Sequence, residues 1–164
     1  GTAAQRTVTL SSSNTAAATV PASVSVATGA TTATFTVTSH VVNATASPAI
    51  TATLNGSAAA PLNVNPLLAI GLGLNPTSVV GGTANSTATI TFSGAAAGTA
   101  AQRTVTLSSS NTTAATVPAT VVVAAGATSA SFTVTSHAVG AATTANISAS
   151  IHGGTQTATL TVTP

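Results

Sequence analysis

The chain has 164 residues, with two arginines, no lysine, no aspartate or glutamate and no cysteine, so charged residues make up only 1% of it. Soluble domains usually carry about 25% charged residues. Two positive charges cannot neutralise a nucleic-acid backbone or hold an anionic membrane, which excludes both kinds of electrostatic partner. The lack of cysteine excludes disulfides and thiolate metal sites. Calcium sites draw on carboxylates, so we expect no metal and no cofactor.

Hydrophobic residues make up 44% of the chain, and its most apolar stretch is 58–74. Pro61, Pro66 and Gly71 interrupt this stretch, which falls short of the roughly 18 uninterrupted apolar residues that a spanning helix needs. We therefore expect a protein that does not span a membrane. The sequence has neither a start methionine nor a signal peptide, and we expect it to be a mature or excised piece of a longer precursor.

Apolar residues alternate with threonine from the beginning of the chain. Val8 and Leu10 alternate in this way, and Phe35 and Val37 do so further on. A two-residue period is typical of a strand with one buried and one wet face, and threonine keeps strand propensity high on the wet face. No stretch has a convincing helical period. The sequence therefore predicts an all-β protein.

Residues 67–164 divide into about seven short strands separated by turn residues. The first predicted strand is Leu68–Leu74, which resumes at Thr77–Val80 after a break at Asn75-Pro76. The others are Ala84–Phe92, Arg103–Ser108, Thr116–Val123, Ser129–Ser136, Asn146–Ile151 and Thr155–Val162. A hairpin turn at 152–154 joins the last two. This number of strands in a segment of this length indicates a β-sandwich.

Residues 1–40 recur at 98–137 with six differences, all of them small changes. GTAAQRTVTLSSSN opens both copies, and FTVTSH ends both. A repeat of this kind indicates an array built from one structural unit. Arg6 and Arg103 occupy the same repeat position, just before a strand, and we expect them to bind loop carbonyl groups.

The motifs LGLNPTSVVGG, ATVPATVVVAAGATSASFTVTS and ISASIHGGTQTATLTVTP resemble the bacterial immunoglobulin-like repeats found in tandem in large surface and secreted proteins. The resemblance covers essentially the whole chain. It implies immunoglobulin-like β-sandwiches, an extracellular location and a spacer, adhesive or fibre-forming role, with no shared catalytic centre. This chain departs from the usual pattern because it lacks nearly all charge and all tyrosine and tryptophan.

The two copies are not equally complete. Residues 67–164 contain a whole repeat, whereas residues 1–66 lack a counterpart of 67–97, the two opening strands. Without these strands a sandwich exposes an apolar groove and an unpaired edge. Two explanations are open: upstream chain supplies the strands, or a neighbouring subunit supplies them by donor-strand complementation. Both predict a head-to-tail contact that does not close.

The donor segment is predicted to present an apolar row to the acceptor. Its members are Leu68, Ile70, Leu72, Leu74, Val79, Ala88, Ile90 and Phe92. Soluble β-proteins protect their sheet edges with lysine and other charges, and apart from the two arginines no strand here carries a charge. The composition therefore favours self-association.

No residue pattern supports catalysis. A Ser–His–acid triad needs a carboxylate to orient the histidine, and the chain has no carboxylate side chain. His40 and His137 are repeat equivalents and His152 lies in a predicted turn. Zinc usually needs three or four convergent ligands, so we expect structural or solvated histidines and no enzyme.

Serine and threonine make up 55 of the 164 residues, and the chain contains N-x-S/T sequences. Glycosylation there would solubilise a surface without charge, although so threonine-rich a chain also produces such sequences by chance. The candidate positions are Asn43, Asn55, Asn85, Asn111 and Asn146.

Together these features predict a structural subunit of an extracellular filament, sheath or surface stalk, with other copies of itself as partners. The alternative is an immunoglobulin-like module of a surface adhesin that binds glycans through threonine and asparagine. That alternative needs an aromatic binding surface, and the only aromatic residues are Phe35, Phe92 and Phe132, all at predicted core positions.

We predict that stability changes little between about pH 2 and pH 9, because acid unfolding arises mainly from protonation of carboxylates that are ionised in the native state. The chain has no aspartate or glutamate side chain to protonate. Far-UV circular dichroism across the range measures the effect. A cooperative loss of the β signal near pH 4 contradicts the prediction.

Overall fold

The computed structural model describes residues 4–164. It divides into two compact units, of which the first extends to Pro66 and the second is Leu67–Pro164. The described regular structure is β-strand apart from one short 3-10 helix at Ala101–Arg103, which confirms the all-β prediction. No helix within residues 4–164 is long and apolar enough to cross a membrane.

The first unit has one sheet of four strands, in the order β3-β1-β5-β6, and a pair of very short strands, β2-β4. Its strands are β1 (Arg6–Ser12), β2 (Ala18–Thr19), β3 (Ser23–Val26), β4 (Thr38–Ser39), β5 (Ala49–Thr53) and β6 (Ser57–Pro61).

The second unit has a five-stranded sheet, in the order β12-β10-β14-β15-β8, and a four-stranded sheet, in the order β11-β13-β9-β7. Its strands are β7 (Ala69–Asn75), β8 (Ser78–Val80), β9 (Ser86–Phe92), β10 (Thr104–Ser109), β11 (Ala115–Thr116), β12 (Thr120–Val122), β13 (Ser129–Ser136), β14 (Thr143–Ile151) and β15 (Gly154–Thr163). All described pairs are antiparallel except β8 with β15.

Both sheets of the second unit contribute to one core. Strand β9 alternates without a break, with Ala88, Ile90 and Phe92 buried and the threonines between them exposed. Ile147 and Leu160 reach the same core from the other sheet. Burying one such large side chain contributes about 1.5–3 kcal/mol, so the apolar rows of the two sheets hold the unit together.

The strands predicted for the second unit agree with the structure except at the chain crossing near Pro118. The sequence predicts one extended segment, Thr116–Val123, but the structure contains β11 and β12, which belong to different sheets. Proline has no N–H to donate to a ladder, and the chain passes here from one sheet to the other. Strand β14 also begins earlier than predicted, at Thr143.

The segment Leu67–Ala69 lies beside the β14–β15 hairpin. The Nδ1–H of His152 donates to the carbonyl oxygen of Leu67 (3.0 Å), and the side-chain amide of Gln156 donates to the carbonyl oxygen of Ala69 (3.2 Å). The chain enters the second unit at the end of that unit where β15 begins.

Gly81 occupies a position where a side chain has no room. It is buried, and its N–H donates to the carbonyl oxygen of Thr163 (2.8 Å). An added Cβ would lie within contact distance of the carbonyl oxygen of His137 and 2.9 Å from Cγ1 of Val162. Gly73 in β7 has nothing within 4 Å of the equivalent position.

We predict that Gly81→Ala lowers the free energy of unfolding of the second unit by about 1–3 kcal/mol, the usual effect of overpacking. Gly73→Ala is the matched control, because it changes the unfolded chain in the same way without a clash. Urea unfolding of both variants measures the difference. Equal destabilisation by the two substitutions contradicts the close approach at Gly81.

Candidate assembly interface

The strands that the two units share pair in the same register. Thr9 lies opposite Thr53 between β1 and β5, and the repeat equivalents Thr106 and Ser150 lie opposite each other between β10 and β14. The β1–β3 and β10–β12 pairs agree in the same way. The four-stranded sheet of the first unit is therefore the counterpart of four strands of the five-stranded sheet in the second.

Residues 4–66 contain no counterpart of β7, β8 or β9. In the second unit β9 pairs with β13 over six residue pairs, from Ser129↔Thr91 to Val134↔Ser86. The segment equivalent to β13 in the first unit is 32–39, and only Thr38 and Ser39 form a strand there, paired with β2. The prediction of a strand at Phe35 and Val37 is therefore wrong, because the strand that would pair with this segment is missing from residues 4–66.

The apolar face of the first sheet is open as a result. Phe35 is 36% exposed where its equivalent Phe132 is 7% exposed, and Leu54 is 38% exposed where Ile151 is 4% exposed. Val8, Val26 and Ile50 are half-buried, while their counterparts Val105, Val123 and Ile147 are fully buried. We define the open face by five apolar residues: Val8, Val26 and Ile50 of the first sheet, Leu54 just after β5, and Phe35 of the segment 32–39.

A groove of about 440 Å³ lies on the open face, and its lining includes Arg6, Val8, Ala30 and Leu54. In the second unit the chain that follows β9 covers the equivalent positions. There the N–H of Ala96 donates to the carbonyl oxygen of Ala127 (2.8 Å), the equivalent of Ala30. The groove therefore lies where the end of the opening segment lies in the complete unit.

The residues predicted to form the donor row lie in the second unit's own structure. Val79, Ala88, Ile90 and Phe92 are buried in its core, and Leu72 and Leu74 pack against that core while Leu68 is half-buried. Ile70 is 60% exposed, because a register shift between Ala69 and Gly71 turns it out of the row. An assembly role for this segment stays a prediction.

The three histidines make separate local contacts. His40 and His137 each lie within hydrogen-bond distance of a threonine hydroxyl through Nε2, at Thr19 (3.1 Å) and Thr116 (3.0 Å). No group of three or more histidine, cysteine or acidic side chains lies together within residues 4–164. These contacts join neighbouring strands, which is a structural role.

Arg103 binds loop carbonyl groups, as its position before a strand predicts. Its Nε donates to the carbonyl oxygen of Gly98 (3.2 Å) and its Nη1 to that of Val123. The guanidinium therefore fastens the loop before β10 to the chain that follows β12, which confirms the prediction for this arginine.

Most of the candidate glycosylation positions lie at the surface. Asn43, Asn55, Asn85 and Asn146 are exposed, while Asn111 is half-buried. The Nδ2 of Asn111, the atom that carries a glycan, donates to the carbonyl oxygen of Thr144 (3.4 Å). Glycosylation at these positions stays a prediction.

No protein-family model and no curated protein matches this sequence at a significant level. Among solved structures, domains 4–9 of the surface layer protein SbsC match 95% of this chain with 20% sequence identity and a TM-score of 0.37. The match covers 21% of the length of that SbsC chain. The crystal structure of domains 4 and 5 of the same S-layer protein matches 95% of this chain and is 17% identical, with a TM-score of 0.36; 75% of that chain is covered. Similarity this low carries no inference about function.

We predict that Phe132→Ala lowers the free energy of unfolding of the second unit by about 3–5 kcal/mol, the usual cost of truncating a core phenylalanine. Phe35→Ala lowers that of the first unit by less in the unassembled chain, because Phe35 is 36% exposed and loses less buried surface. Denaturant unfolding of each variant measures both values. Equal costs at the two positions would show that the first unit covers Phe35 by itself.

Proposed function

We propose that this protein is a non-enzymatic structural subunit of an extracellular filament, sheath or surface stalk, assembled head-to-tail through strands added to the open face. One observation carries the proposal. The sequence repeated in both units forms a complete two-layered core in the second and only one open layer in the first. An apolar sheet face of this kind is stable in water only when another element covers it.

The strand arrangement supports an immunoglobulin-like fold for the repeat and membership of the bacterial immunoglobulin-like repeats. Such folds place their first, second and fifth strands in one sheet and their third, sixth and seventh in the other. In the second unit β7, β9 and β13 share one sheet, and β10, β14 and β15 share the other. The first unit is then a tandem copy that lacks its opening strands, and the family implies the extracellular location.

Head-to-tail growth follows from the difference between the two units. The open face belongs to the first unit, and the segment that fits such a face belongs to the second. A contact between two different surfaces does not close on itself unless the rotation happens to form a ring, so it generates filaments. Strand β6 also supports growth, because it is exposed throughout and carries no charge. Soluble proteins normally protect such a sheet edge with charged residues.

The adhesin alternative has no feature of the described residues in its favour. Sugar binding commonly needs aromatic side chains at the surface, and Phe92 and Phe132 are buried in the core. Phe35 is the exposed one, and it belongs to the open face. Self-association explains that exposure without a second ligand.

Electron cryo-microscopy of the native material tests the proposal. We expect filaments or sheets in which strands from outside residues 1–66 cover the open face. Isolated molecules with a bare face contradict the structural function.

A variant pair separates this face from general stickiness. We predict that Phe35→Lys abolishes assembly, because it places a charge on the open face where burial without a partner is costly. Val122→Lys adds the same charge at a valine that is 51% exposed in the second unit, and it should assemble normally. Light scattering and negative-stain microscopy measure assembly, and equal behaviour of the two variants argues against the open face as the contact.

A further inference from the structure

We propose that the open face accepts the segment Leu67–Ala97 of a second copy of this chain, in the register that β7–β9 have in the second unit. The inference rests on the proposed function and deepens it by naming the occupant and its residue pairs. The two units share one repeated sequence, and the second unit contains the opening strands that residues 4–66 lack.

The β9–β13 ladder defines the residue pairs. Thr89 lies opposite Ser131 and Ala88 lies opposite Phe132. Thr34 and Phe35 are the repeat equivalents of these two partners. In the assembly Thr34 therefore lies opposite Thr89 of the second copy, and Phe35 lies opposite its Ala88, which extends β4 into a full strand over 32–39.

A buried serine provides a polar contact for the incoming turn. In the second unit the N–H of Gly82 donates to Oγ of Ser136 (3.1 Å), that hydroxyl donates to the carbonyl oxygen of Ala84, and the N–H of Ser136 donates to Oδ1 of Asn85 (3.1 Å). Ser39 is the equivalent residue and is exposed. In the assembly Ser39 binds the β8–β9 turn of the second copy through the same hydrogen bonds.

The groove receives the end of the segment. Ala96 is buried in the second unit, where its N–H and carbonyl oxygen bind Ala127 and Gly126. Gly29 and Ala30 are the equivalents of those two residues, and Ala30 lines the groove. Ala96 of the second copy thus fits the groove with two backbone hydrogen bonds.

The chain cannot fill its own open face in this register. In the second unit Leu67 lies beside the beginning of β15, and β15 then runs for ten residues to Thr163. That strand is about 30 Å long at roughly 3.3 Å per residue. In the first unit the residue that corresponds to the end of the repeat, Pro66, is bonded directly to Leu67. No linker spans the strand length, so the segment 67–97 of the same chain cannot be the donor in this register.

Donation between copies conserves the number of completed sheets. Within the described residues each chain carries two acceptor sheets and one donor segment. A segment that leaves its own second unit and enters another copy's first unit completes that first unit and opens its own second unit, so it exchanges one set of pairs for an equivalent set. Release of β7–β9 from the second unit is then the slow step. A substitution that weakens the packing of this segment against its own second unit favours its transfer to the open face of another copy.

Cysteine cross-linking tests the register, because the chain has no cysteine of its own. Acceptor chains carry Thr34→Cys or Thr36→Cys, and donor chains carry Thr89→Cys or Thr87→Cys together with Phe132→Ala to favour release. Directly opposed residues satisfy disulfide geometry, whereas diagonal neighbours about 7–8 Å apart do not. All four threonines are exposed, so these substitutions leave the core unchanged.

We predict that the pairs 34/89 and 36/87 form covalent heterodimers with at least about tenfold higher yield than the diagonal pairs 34/87 and 36/89. A chain with Thr89→Cys and Ser131→Cys, whose native hydroxyls lie 3.3 Å apart, shows that the geometry permits the bond. Omitting Phe132→Ala from the donor should lower the yield of both in-register pairs.

Equal yields in all four pairs, or no heterodimer in any, overturn the inference. Its failure is distinct from failure of the proposed function. If native filaments have a covered open face but no in-register cross-link forms, the proposed function is supported and the segment 67–97 is excluded as the occupant. If the native material is monomeric but the in-register cross-links form, the register is supported and the proposed filament function is contradicted.

Discussion

The pairing of β9 with β13 is the interaction on which the rest of the structure depends. Strand β9 is the only ladder partner of β7, and without it β13 keeps two residue pairs with β11. Its inward row also supplies Ala88, Ile90 and Phe92 to the centre of the core. Loss of this strand therefore removes one sheet and uncovers the other, which is the state of the first unit.

The near absence of charge makes this constraint more severe. An uncovered sheet in an ordinary domain can rely on charged edge residues for solubility, but here the surface is built from threonine, serine and alanine. Threonine supports the strands, and it gives no protection against pairing. The same composition that gives the complete unit a simple two-layered core leaves the first unit with an open and uncharged sheet face.

Much of the fold could be predicted from the residue pattern, because alternation fixes both the strand and the side it buries. Strand β13 has the predicted bounds, Ser129–Ser136, and the apolar row of β9 is buried as the pattern indicates. The sequence did not predict the bulge that exposes Ile70 or the division of Thr116–Val123 between two sheets. Both depend on where neighbouring strands lie, which residue alternation does not contain.

The amino-acid sequence by itself determined the segments with strand propensity, the sides they can bury, the repeat and the absence of carboxylate side chains. Only the tertiary structure decided which segments become strands. FTVTSH is identical at 35–40 and 132–137. All five residues before the histidine lie in β13 in the second unit, whereas only Thr38 and Ser39 lie in a strand in the first. A strand has no hydrogen bonds within itself, so its backbone groups need a neighbour to pair with. That neighbour, β9, is distant in sequence from β13 and missing from residues 4–66.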